Sequence, residues 1–152
     1  MGAESKDVSY PFGIKESDLG KVEISLRVST TRMASGYDAI CVRGRGEVEL
    51  RSALRADDEP AMVTRPIPLR IVERLLLFLG SEGMETWDEE YPPETHEYAG
   101  QLIQVTVDGE VRKQISMCRT AFAEYSHAFG ALKFTAALAA PEVVSGGFFK
   151  RI

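Results

Sequence analysis

The chain has 152 residues, 44% of them hydrophobic and 27% charged, which is one domain's length with an ordinary globular composition. A chain of this size buries about two-thirds of its unfolded surface, so it needs no staple, and wholesale disorder, collagen-like repeats and disulfide scaffolds are excluded. The net charge of −5 argues against a nucleic-acid partner held on a basic footprint. Apolar runs of five, such as Leu75 to Leu79, fall far short of the ~20 residues that span a bilayer, so no membrane partner is expected.

Residues 1–21 are polar and lack the apolar core of a secretory signal. Lys6 stands where a myristoylation motif needs Ser or Thr. The expected layout is a flexible segment over 1–20, one domain over 21–145 and a tail over 146–152. Cys41 and Cys118 lie 77 residues apart with no partner at metal spacing. Both fall in predicted strands, where a reduced cysteine acts as a small hydrophobe, and a cytoplasmic location is the default.

Residues 22–30 alternate, with Val22, Ile24, Leu26 and Val28 on one side and Glu23, Ser25, Arg27 and Ser29 on the other. That is the pattern of a half-buried antiparallel strand. Residues 37–43 and 47–52 flank Gly44-Arg45-Gly46 and read as a hairpin. A three-residue loop sets Val42 against Val48, Ile40 against Leu50 and Arg43 against Glu47, whereas a two-residue loop would set Val42 against an acid. Gly46 is then expected in the left-handed conformation. Residues 56–59 are acidic and turn-like.

Pro68 suits a helix start, and Leu69, Val72, Leu75, Leu76 and Leu79 form an apolar stripe that Gly80 ends. Residues 81–100 read as an irregular connection containing Pro92-Pro93. Ile103, Val105 and Val107 alternate before Asp108-Gly109, and Val111, Lys113, Ile115 and Met117 return. A three-residue loop or a bulge there sets Val107 against Val111 and Ile103 against Ile115. A second helix is expected from about Ala121 to Ala139, capped by Thr120, stopped by Pro141, with Phe122, Tyr125, Phe129, Leu132 and Ala136 inward. The tail beyond it, with Val143, Val144, Phe148 and Phe149, reads as a last strand or a hook. The predicted class is α+β: an antiparallel sheet of five to six strands built from hairpins, two helices on one face.

The run Tyr37-x-x-x-Cys41-Val42-x-Gly44-x-Gly46-x-Val48-x-Leu50, the Leu-rich helix and Tyr91-Pro92-Pro93-x-Thr95 before a hairpin resemble a set of small bacterial domains of unknown function. The layout over roughly residues 22–118 is also similar to emfourin, a protein inhibitor of thermolysin-type metalloproteases. The resemblance implies an α+β fold and an inhibitory, protein-binding role, and it carries over no particular inhibitory residue.

Nothing along the chain assembles into a catalytic motif. His96 follows two prolines and has no second histidine at helix spacing, and His127 lies off the apolar stripe of its helix. Gly44-Arg45-Gly46 joins strands and opens no helix, so it is no phosphate loop. No catalytic residue, metal or cofactor is assigned; the scattered carboxylates lack a calcium-loop spacing.

Charge is the distinctive signal. Between Arg74 and Arg112 there are nine acids and no lysine or arginine, and Trp87, the only tryptophan, lies among those acids with Met84, Tyr91 and Tyr98. Aromatics of this kind anchor interfaces. The reading is a non-enzymatic protein-binding domain, of inhibitor or immunity type, acting through loop 81–100. Trp87, Glu89, Glu90 and Tyr91 form the partner surface, Arg45 at the hairpin tip is a second contact, and the partner is a protein with a basic surface or a second copy. The alternative is a small enzyme or ligand-binding protein with a pocket between the sheet and the second helix, using His96, Glu97 and His127.

Overall fold

The alternation in residues 22–29 becomes strand β1 (Val22–Ser29), in whose apolar row no residue is more than 3% exposed. In the computed structural model of the chain, residues 9–29, 36–55, 57–92, 100–118 and 121–145 are described. Strand β1 sits mid-sheet, between β2 (Tyr37–Arg43) and β6 (Gly100–Val107). The strand order is β4-β3-β2-β1-β6-β7-β5, with β3 (Glu47–Ala53), β4 (Ala61–Pro66), β5 (Glu90–Tyr91) and β7 (Glu110–Met117).

The β2–β3 hairpin has the expected register. Val42 faces Val48, Ile40 faces Leu50, and Arg43 faces Glu47, with Gly46 at φ +99°. The second hairpin differs in detail. Asp108 and Gly109, both at positive φ, make a two-residue turn that pairs Val107 with Glu110, as suits the twist of a tight hairpin. A bulge then restores the phase, so that Ile103 does face Ile115. The extra residue is Arg112, whose Nη1 donates to the Phe12 and Gly13 carbonyls at 3.1 Å each.

The sheet has seven strands instead of five or six, and it is mixed, because β5 pairs parallel to β7. Neither added strand alternates. Strand β4 is an edge strand with no buried residue. The Ile67 N–H donates to the Gly46 carbonyl at 2.9 Å, and this fixes the hydrogen-bonding phase. Met62, Thr64 and Pro66 therefore turn their backbone groups outward, where a proline costs the ladder nothing.

Helix α1 (Leu69–Ser81) and helix α2 (Ala123–Ala139) cover one face and lie against each other. Gly80 does not stop α1. It admits Pro11, whose ring carbons lie 2.9 Å from where a Gly80 Cβ would stand, and the left-handed turn comes at Gly83 (φ +84°). The residue capping α2 is Phe122, without a side-chain cap; Thr120 lies outside the described residues. Pro141 does not only end α2: it opens a short helix α3 (Pro141–Ser145) where a strand or hook was expected. Residues 146–152 lie outside the described residues. So do residues 1–8, but residues 9–20 belong to the domain and not to a flexible segment, because Tyr10, Phe12 and Ile14 are buried in the core. Among the described residues no helix is long and apolar enough to cross a membrane.

The two hairpin glycines make a testable pair. A Cβ on Gly46 would meet the Ile67 carbonyl at 3.0 Å in a backbone conformation that disfavours side chains, and one on Gly44 would overlap the Leu19 carbonyl at 1.7 Å. In urea unfolding, Gly46→Ala and Gly44→Ala should each lose about 1–3 kcal/mol. The control Gly20→Ala meets nothing within 4 Å and should stay within about 0.5 kcal/mol of the parent.

Candidate binding site

Leaving α1, the chain turns through Gly83 into a 3-10 turn over Met84–Thr86 that the fully buried Met84 pins to the core. Hydrogen bonds then fix the backbone that follows. Lys113 Nζ donates to the Glu85 and Trp87 carbonyls (3.2 and 2.6 Å), and the Ser116 and Cys118 N–H groups donate to the Glu89 and Tyr91 carbonyls (2.8 and 2.9 Å). The Phe12 N–H donates to the Glu85 carboxylate at 2.9 Å. Lys113 pairs with the buried Val105, and its long stem carries the ammonium from there to the loop carbonyls.

This anchoring corrects one of the expected contacts. Tyr91 is not a surface anchor: it is 9% exposed, lies 5.3 Å from Phe122 between ring centroids, and its hydroxyl accepts from the Asp88 N–H at 3.0 Å. Trp87 is half-buried, edge-on to Phe122 at 5.0 Å and 6.1 Å from Tyr125. Ring pairs in this geometry add about 0.5–1.5 kcal/mol beyond their area. An apolar ring beside a hydrophobic core gains more by folding inward than by standing in an acidic loop.

The acids do the opposite. Asp88, Glu89 and Glu90 are exposed and have no ion pair among the described residues. They form a ridge along the β5 edge. Arg45 does not join them. It is at the β2–β3 tip, hydrogen-bonded to Glu47 at 2.7 Å, four strand positions from β5 or about 19 Å across the sheet.

The sheet face turned away from the two helices is an ion-pair lattice. Arg43 donates to Glu47 and Glu49 at 2.8 and 3.0 Å, and Arg51 reaches Glu49 from the other side. Burial raises the Glu49 carboxyl's pKa, but the hydrogen bonds from Arg51 and Arg43 outweigh it and hold the group below the ordinary value. The hydrogen bonds from Arg45 and Arg43 lower Glu47 as well. On the same face Arg27 lies 3.9 Å over the Tyr37 ring. Cys41, also on this face, is a free thiol whose pKa is pushed up to about 11, first by burial and then by Glu23. Cys118, also free, stands beyond the end of β7, three strand positions from β2, so the two cannot bond.

His127 pairs through Nδ1 with Glu82 Oε1, tying α2 to the end of α1. His96 and Glu97 lie outside the described residues. A small cavity of about 160 Å³ does lie between the sheet and α2, lined by Gln101, Ala121, Tyr125, Ser126 and Phe129. The Tyr125 hydroxyl and Gln101 Oε1 are buried without hydrogen-bond partners, and burial raises the Tyr125 phenol well above its ordinary pKa. Periodicity marked Tyr125 as core, but nothing in the sequence marked Gln101. Among the described residues no group of three or more His, Cys, Asp or Glu is placed to hold a metal. No protein-family model and no curated protein matches this chain.

Two measurements check these electrostatics. Glu49 and Glu47 are more acidic folded than unfolded, so their contribution is present above the ordinary carboxylate range and is lost as the pH falls through their folded values. Urea midpoints taken between pH 7 and pH 3 should fall less steeply for Glu49→Gln than for the parent. At pH 8, Cys41, with a pKa of about 11, should react with iodoacetamide far more slowly than a free thiol of ordinary pKa; labelling at the rate of a model thiol would contradict its burial.

Proposed function

We propose that this chain is a non-catalytic protein-binding domain that docks through the acidic ridge Asp88-Glu89-Glu90, flanked by the half-buried Trp87, onto a basic surface of its partner, in the manner of an inhibitor or immunity protein. The supporting observation is that three exposed carboxylates, unpaired among the described residues, stand on a backbone already held by Lys113, Ser116 and Cys118. A preorganised loop loses little conformational entropy on binding, and clustered like charge speeds encounter with a cationic partner. The ion pairs of the open sheet face already satisfy one another and offer no comparable surplus.

A second reading has one observation in its favour. The unpartnered Tyr125 hydroxyl and Gln101 Oε1 border the cavity between β6 and α2, which suits a small ligand with its own donor.

The two readings separate in one experiment. Affinity capture from the native host's lysate with the parent should retain a stoichiometric basic partner, and Asp88→Lys with Glu89→Lys and Glu90→Lys should release it while the melting temperature moves little. Capture that survives the triple reversal, or no partner for either protein, contradicts the ridge reading. A parent that retains no protein but is stabilised by small polar compounds, with Tyr125→Phe insensitive, favours the cavity.

A further inference from the structure

Helix α2 is apolar almost all the way round. Its inward face carries Tyr125, Ala128, Leu132 and Ala136, all buried. Ala131, Phe134 and Leu138 repeat the helical spacing on a second face, with Phe134 64% and Leu138 53% exposed. Glu124 and Lys133 are the only Asp, Glu, Lys or Arg in the helix. Across from this face α1 offers Ile71, Leu75 and Phe78. The two helices enclose an open groove of about 310 Å³ whose walls are apolar except for Arg74 and Thr135. A helix apolar on all sides is ordinarily covered on all sides, and an exposed apolar patch of this kind marks a docking surface.

The charges around the groove select the occupant. Arg74 lines it, and Arg70, one turn earlier on α1, is likewise exposed; neither has a carboxylate partner among the described residues. Glu73, the acid between them, lies on the other side of α1 against the Tyr10 hydroxyl, and Glu82 is engaged by His127. A second copy placed face to face would bring its own arginines to the same seam, because a two-fold interface uses the same patch twice. The chain's own end, Phe148-Phe149-Lys150-Arg151, has the right anchors with the wrong charge.

We infer that the α1–α2 groove is a second binding surface, distinct from the acidic ridge, that takes an amphipathic helix with apolar anchors at i, i+3, i+4 and i+7 and acidic residues along its flank, from a partner protein. Phe134, Leu138 and Phe78 receive the anchors, and Arg70 and Arg74 receive the acids. Helix-in-groove recognition has this form.

The test uses the full chain and two labelled synthetic helices with the same leucine anchors, one flanked by glutamates and its twin by lysines. By fluorescence anisotropy the acidic helix should bind at least about tenfold tighter, and the preference should shrink in high salt. Phe134→Ser with Leu138→Ser, both at exposed positions that leave the core intact, should weaken binding more than about tenfold. Arg70→Glu with Arg74→Glu should invert the preference. Equal affinity for the twins, or no binding of either, overturns the inference. So does binding that appears only after Phe148→Ser with Phe149→Ser, which makes the chain's own end the occupant, or a dimer in light scattering that Phe134→Ser dissolves, which makes it a second copy. Each outcome is independent of the acidic ridge, which none of these variants touches.

Discussion

The apolar row of β1 is the constraint on which the remaining structure depends. Val22, Ile24, Leu26 and Val28 lie in the central strand of a seven-stranded sheet whose helices, among the described residues, cover one face, so the apolar side chains gather on that side. Both hairpins set their registers against this row: Ile24 lies between Val42 and Val105, and Leu26 between Ile40 and Ile103. A slip of one residue would turn each of these side chains to the polar face and bring Glu23, Arg27, Arg43 and Glu49 into the core. The helices, the buried N-terminal turn and the aromatic cluster are coverings of that one surface.

One covered face leaves gaps at the margins, and the local departures from regularity fill them. The two helices do not reach the whole sheet, and residues 10–14 close one margin with Tyr10, Phe12 and Ile14. Phe12 adopts a left-handed backbone (φ 65°), which an aromatic residue does only where its surroundings over-determine it. Here its N–H is held by Glu85 and its carbonyl by Arg112. The bulge in β7 adds Arg112 to that strand and so supplies a guanidinium for the clamp. Hairpin, bulge, N-terminal turn and the start of the acidic loop are therefore joined by hydrogen bonds, the Glu85 carboxylate meeting the N–H of a residue 73 positions earlier in the chain, while the ridge itself is held by Lys113, Ser116 and Cys118.

The sequence was most legible where one face is apolar and the other charged. The β2–β3 register followed from Val42 opposing Val48 and Arg43 opposing Glu47, since a two-residue loop would set Val42 against an acid. Strand β4 was not legible, because at an edge neither face of Ala-Met-Val-Thr-Arg-Pro is buried and period two has nothing to distinguish. Strand β5 has two residues and owes its existence to the neighbouring β7 backbone. For the candidate site, the acid run was visible and the direction of the rings was not. Whether Tyr91 faces a partner or Phe122 depends on a contact between residues thirty-one positions apart, and no local pattern encodes it. The outer stripe of α2 was readable, since Ala131, Phe134 and Leu138 follow the same spacing as the inner one, but the inner stripe accounts for a helix on a sheet by itself.

The two candidate surfaces differ in what made each of them. The ridge is acidic because its aromatics were withdrawn: once Trp87 and Tyr91 pack on Phe122 and Tyr125, the residues between and beside them must face water, and carboxylates tolerate that without loss of solvation. Selection of the core alone would produce such a ridge, although it would not demand that lysine and arginine be excluded from a span of this length. The groove stands on the other side of that distinction. Folding needs only the inward stripe of α2, and an exposed phenylalanine 64% open to water adds nothing to the core while raising the hazard of self-association. Alanines at such positions would serve the helix better, and α2 uses alanine freely elsewhere. Apolar side chains that the fold does not require, set beside two arginines with no carboxylate partner among the described residues, therefore point more strongly to a partner than acids that the fold would have left outside in any case.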